Sequence, residues 1–89
     1  MLTVDVQIFG KVQGVFFRKN TAEKARDLGI RGTVQNKPDG SVHILATGTE
    51  DSLEKFLDWC KQGDPPAKVE HVGVDRVDFQ EFEGFEILH

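Results

Sequence analysis

The chain has no tyrosine, one cysteine, three prolines and no long apolar run in its 89 residues. Each shortage excludes something. With Cys60 alone, no intramolecular disulfide can form and no oxidising compartment is implied. No window approaches the apolar length of a membrane span, and the opening MLTVDVQIFG carries Asp5 and no basic stretch, so it does not read as a signal peptide. Positive charge is short as well. Eleven Lys and Arg against 15 Asp and Glu leave a net charge of −4, which disfavours electrostatic capture of nucleic acid or of an anionic membrane. The expectation is one domain over residues 1–89, a cytoplasmic monomer with neither membrane nor nucleic-acid partners.

Metal and nucleophile patterns are missing too. His43, His71 and His89 share no ligand spacing, and no Ser-His-Asp set stands out. Neither a metal nor another cofactor is expected. Cys60 falls on an apolar helical stripe and reads as core, while Asp5, Asp75 and Asp78 read as solvent-facing strand positions.

What is present is regular. Val4, Val6 and Ile8 alternate with Asp5 and Gln7, the period of a half-buried strand, and Val12 continues the parity. Phe17, Thr21, Ala25 and Leu28 then recur at helical spacing, with Gly29 where a C-cap glycine belongs. Ile30–Asn36 and the alternating Val42, Ile44 and Ala46 flank the turn residues Pro38, Asp39 and Gly40, predicting a hairpin. Thr49 is placed to cap a second helix that carries Glu50 and Asp51 in its first turn and buries Leu53, Phe56, Leu57 and Cys60. Gly63 ends it, and Gly63–Lys68 is the strongest break in the chain. A last strand is expected from about Val69 to Phe79, with a bulge or break between Val74 and Val77 where the apolar parity switches. Phe85–Leu88 can add a short final strand.

The order β-α-β-β-α-β predicts an α+β, ferredoxin-like sandwich, two helices on one face of an antiparallel sheet. In that topology the first two strands both pair with the third and run parallel to each other. The turn after the first strand and Asn36 at the end of the second should then emerge at the same edge.

That turn is the sequence's most pointed feature. GKVQGVFFR, Gly10 to Arg18, puts two glycines and an arginine where a strand passes into a helix. A helix N-terminus leaves main-chain N–H groups unsatisfied, glycine lets them approach a ligand, and arginine offers a planar fork for phosphate oxygens. The loop Gln13, Gly14, Val15, Phe16, Phe17 and Arg18 therefore suits a phosphate or similar oxyanion. On physics alone it reads equally as an ordinary connection with a solvated arginine. Asn36, before a turn, reads first as an asparagine bonding its own backbone and second as a catalytic residue. Phe17 has core parity, and Phe16 is placed to flank a ligand.

GKVQGVFFR resembles the first signature of the acylphosphatases, and VQNKPDGSVHILATG, Val34 to Gly48, resembles most of the second. The resemblance covers nearly the whole chain, including the closing FEIL. It implies hydrolysis of small-molecule acyl phosphates to a carboxylate and inorganic phosphate, without cofactor. It also implies that Arg18 binds the phosphoryl group, that residues 13–18 cradle it, and that Asn36 orients the attacking water. Thr33 stands where the family usually has an aromatic residue, and Lys37 where some relatives carry a hydroxyl. Two other functions fit the fold class. Ferredoxin-like sheets bind single-stranded RNA through exposed aromatics, but the outward positions here are mostly Asp5, Gln7, His43 and Gly10 or Lys11. Acylphosphatase-like domains also open larger carbamoyl-transferring maturation enzymes with paired Cys-x-x-Cys motifs, of which this sequence has none.

Overall fold

The alternations and stripes resolve into β1 (Leu2–Lys11), α1 (Phe17–Asp27), β2 (Arg31–Asn36), β3 (Val42–Gly48), α2 (Glu50–Gln62), β4 (Lys68–Val77) and β5 (Phe85–Leu88). The structure, a computed structural model, describes residues 1–63 and 65–89. Asp64, inside the Gly63–Lys68 break, lies outside the described residues.

The sheet runs β4-β1-β3-β2-β5. Its buried face is the one the alternation marks: Val4, Val6 and Ile8 of β1 lie opposite Ala46, Ile44 and Val42 of β3. Onto that face α1 packs Phe17, Thr21, Ala22 and Ala25, and α2 packs Leu53, Phe56 and Cys60. Leu57 is half-buried at the rim of this core. The helix ends follow their local chemistry. Thr49 accepts a hydrogen bond from the Ser52 N–H, and Gly29, at φ +70, closes α1 while the Ile30 N–H donates to the Ala25 carbonyl.

Two expectations need correction. The sheet is mixed rather than antiparallel, because β5 forms a fifth strand parallel to β2. The segment 78–84 must therefore cross the face opposite the helices to reach the far edge. Two hydroxyls hold it there. The Gln80 N–H donates to the Thr3 hydroxyl oxygen (2.9 Å) and the Thr47 hydroxyl donates to the Gln80 carbonyl (2.8 Å). The Thr3 hydroxyl must then donate to that of Thr47, 2.6 Å away. This closed set satisfies two buried hydroxyls at the end of the sheet remote from the β1–α1 turn.

The bulge is also elsewhere. β4 pairs regularly from Val72 to Val77, and the register shifts between Phe9 and Gly10, leaving Glu70 as the extra residue. The parity switch at Val77 has a different cause. Val77 lies opposite Thr3, on the face that the 78–84 crossing covers, so an apolar side chain is sheltered there too. β4 ends at Val77, and Phe79 lies beyond it, exposed.

At the bulge the backbones of β1 and β4 approach closely. A Cβ on Gly10, whose φ is +136, would sit 2.1 Å from the Lys68 carbonyl oxygen. Main chain cannot swing aside as a side chain does, so Gly10→Ala should destabilise the fold by about 2 kcal/mol. A lower denaturation midpoint in guanidinium chloride, with unchanged slope, checks this.

The open face of the central strands carries Asp5, Gln7 and His43, with His43 Nε2 2.8 Å from Asp5 Oδ1. Phe9 shares this strand parity, its ring centroid 5.8 Å from that of His71. No helix among the described residues is long and apolar enough to cross a membrane.

Candidate active site

β1 and β2 both run antiparallel to β3, so their C-terminal ends share one edge of the sheet. β5, parallel to β2, delivers its own C-terminal end there. A cavity of about 310 Å³ opens at this edge, walled by Gly14, Phe16, Phe17, Arg18 and Lys19 from the β1–α1 turn, by Asn36, and by Val12, Ile87 and His89.

The backbone of the turn is open to a ligand. Gly14, at φ +74, would find no atom within 4 Å of an added Cβ, so the space above it is open. Helix α1 starts without a side-chain cap and without an acidic residue in its first turn. Helix α2, in contrast, has the Thr49 cap together with Glu50 and Asp51. The first-turn N–H groups of α1 thus keep their hydrogen-bonding capacity and the positive end of the dipole for a ligand.

Arg18, the second residue of α1, is half-buried and donates from Nη1 to the Leu88 carbonyl at 3.0 Å. One nitrogen is anchored on β5 and the guanidinium keeps further donors for an oxyanion. Asn36, the last residue of β2, presents a buried Oδ1 with no hydrogen-bond partner. That atom makes no bond to its own backbone, as a turn-entry asparagine would. An unsatisfied buried acceptor is costly unless a ligand or water completes it.

The structure thus brings Gly14, Phe16, Phe17, Arg18 and Asn36 to one cavity. Gln13 and Val15 take other places. Val15 packs against the core. The Gln13 amide donates both hydrogens to the β2–β3 turn, at 2.8 Å to the Lys37 carbonyl and 2.9 Å to that of Ser41. The same turn closes on itself: the Lys37 N–H donates to the Ser41 carbonyl at 2.8 Å, and Gly40 N–H to that of Lys37 at 3.1 Å. The Asp39 carboxylate, accepting from the Ser41 hydroxyl and N–H, is held below the usual carboxylate range by those two bonds. Gln13 therefore ties the turn before Arg18 to the turn after Asn36.

Val12, Lys19, Ile87 and His89 were not among the residues that the sequence placed at the site. Val12 and Lys19 adjoin the motif and were within reach of it. Ile87 and His89 arrive through parallel β5 pairing, which leaves no local signal. The two departures from the family pattern lie off the cavity. Thr33 sits opposite Leu45 on the other side of β2, and Lys37 lines a separate recess with Gln7, Ser41 and His43. Cys60 is buried, and burial pushes its thiol up to about 12. Among the described residues no three His, Cys, Asp or Glu side chains are grouped to hold a metal ion.

The acylphosphatase family model matches residues 4–87. An acylphosphatase of Archaeoglobus fulgidus is 44% identical over 89 residues, the full length of both chains. The crystal structure of acylphosphatase from Bacillus subtilis superposes with a TM-score of 0.95 at 36% identity, again over 100% of both chains. Full-length HypF contains a similar unit: TM-score 0.86 at 26% identity, spanning 99% of this chain and 12% of HypF. The match in sequence along nearly the whole chain, together with that in fold, decides its affiliation: it belongs to the acylphosphatase family and is an enzyme of that activity.

Proposed function

We propose that the enzyme cleaves the carboxyl–phosphate anhydride of acyl phosphates by direct attack of water on phosphorus, with no metal ion. Residues 13–18 cradle the phosphoryl group with main-chain N–H donors, Arg18 clamps its equatorial oxygens, and Asn36 Oδ1 accepts a hydrogen bond from the attacking water. The observation that carries this reading is the unpartnered, buried Asn36 Oδ1 in the same cavity as Arg18 and the uncapped start of α1.

The chemistry suits these groups. An amide oxygen is too weak a base to take the water's proton. It can still hold one O–H so that a lone pair points at phosphorus. The new P–O bond forms as the bond to the acyl oxygen breaks, and the water's proton passes to a phosphoryl oxygen. The departing group is a carboxylate, stable without protonation near neutral pH, so no general acid is required. What remains is positioning and charge stabilisation, the chief contributions in phosphoryl transfer. Because the cradle, Arg18 and Asn36 come from one chain, the proposal includes action as a monomer. It also includes a cytoplasmic setting, since the single buried thiol has no call for an oxidising compartment.

Hydrolysis of acetyl phosphate in excess chelator tests the proposal. Full turnover is the expected result, and activity that vanished with chelator and returned with a divalent ion would overturn it. The Gln13 bridge makes a further prediction. Gln13→Ala removes two hydrogen bonds between the halves of the site, each worth about 1 kcal/mol, and should lower kcat about tenfold. Steady-state kinetics beside a thermal melt check that the loss exceeds any change in folded population.

A further inference from the structure

Phe16 is poorly placed for stability. It is the one non-glycine residue among those described with positive φ, at φ 60 and ψ 17, a region that favours glycine or asparagine and penalises a bulky side chain. Its ring recovers nothing from the core, being 76% exposed, more than any other large apolar side chain in the structure. It does not cap α1 either, since no side-chain cap bond is made there. Its neighbour Phe17 shows the opposite behaviour, buried and stacked on Trp59 with ring centroids 5.7 Å apart. A strained backbone and an exposed aromatic ring both cost free energy, and such outliers concentrate where a ligand makes use of them.

Phe16 also lines the site cavity, together with Ile87. The cavity is thus bipolar. Among its lining residues Gly14, Arg18 and Asn36 offer polar groups suited to a phosphoryl group, while exposed Phe16 and half-buried Ile87 offer apolar surface. An acyl phosphate has the same division, a charged phosphoryl end joined to an acyl group. Once the phosphoryl end is cradled and water is held by Asn36, the acyl oxygen must depart on the side away from that water.

We propose that Phe16 is a specificity-determining residue: its ring packs on the acyl group, so that the enzyme prefers acyl phosphates with large apolar or aromatic acyl groups over those with a small one. This rests on the acyl phosphate reading above. Covering one face of an aromatic group removes enough apolar surface from water for a preference of about tenfold. The contact adds nothing to phosphoryl binding, so it acts on the choice between substrates.

The test compares kcat/KM for benzoyl phosphate and acetyl phosphate in the wild type, Phe16→Ala, Phe16→Leu and Phe16→Asn. The benzoyl-to-acetyl ratio should fall about tenfold in Phe16→Ala and Phe16→Asn, and recover in large part in Phe16→Leu, which restores apolar bulk. Phe16→Asn should also melt higher by roughly 4 °C or more, since asparagine tolerates the left-handed backbone. A ratio that moved less than about twofold in Phe16→Ala, or a lower melting temperature in Phe16→Asn, would overturn the assignment while leaving the acyl phosphate reading intact. Failure of the wild type to hydrolyse either compound would remove both.

Discussion

Arg18→Gln should lower kcat for an acyl phosphate by about 10²–10³-fold or more, the usual effect of losing one preorganised donor to a developing charge. The guanidinium is the one side-chain fork in the cavity that can grip two phosphoryl oxygens in a plane. Glutamine keeps length and some hydrogen bonding but loses both charge and fork. Lys19 lines the same cavity and cannot replace it, since an ammonium is a point charge. For the same reason Arg18→Lys should recover only part of the activity. Stability should change little. Arg18 is only half-buried, and its bond to the Leu88 carbonyl lies at the surface, where it contributes about 1 kcal/mol or less. Kinetics and a denaturant titration on the same preparation separate the two effects. An Arg18→Gln enzyme with near-wild-type kcat would remove Arg18 from the mechanism.

Asn36→Ala should be equally damaging to rate and opposite in its effect on stability. On the proposed mechanism the attacking water would lose its orientation without the amide, and kcat should drop by about 10²-fold or more. Inhibition by inorganic phosphate should persist, because the cradle and Arg18 are untouched. The folded protein should be as stable as the parent or more so. Asn36 Oδ1 is buried without a partner, and deleting such an acceptor relieves a desolvation cost of roughly 1–3 kcal/mol, offset by the small void left behind. Loss of turnover with an unchanged or raised melting temperature distinguishes a functional asparagine from a structural one. A variant that lost both together would show that the residue serves the fold.

Much of the site was legible because it is built from short-range chemistry. A glycine that leaves space, an arginine just inside a helix and an asparagine ending a strand keep their meaning wherever the chain goes. The two signature stretches then suggested one shared reaction for those residues. The Gln13 side chain shows where such reading ends. It belongs to the loop in sequence, yet its amide bonds the far turn at Lys37 and Ser41. Nothing local to Gln13 specifies that partner. The state of Asn36 Oδ1 is non-local in the same way, since an atom lacks a partner only by virtue of everything packed around it.

Alternation and helical stripes, which depend on neighbours a few residues apart, determined the strands, the helices and the faces they bury. They could not determine what lies beside an edge strand. Parity assigns a side chain to a face but leaves the next strand open. The parallel β5, the crossing held by Thr3, Thr47 and Gln80, and hence the presence of Leu88 behind Arg18 and of Ile87 in the cavity, were decided only by tertiary structure. The same holds for Val77, whose switch of parity suggested a bulge and instead records a face covered by a distant segment. Burial of an apolar group depends on which surface reaches it, and here that surface lies on the opposite side of the sheet from the helices.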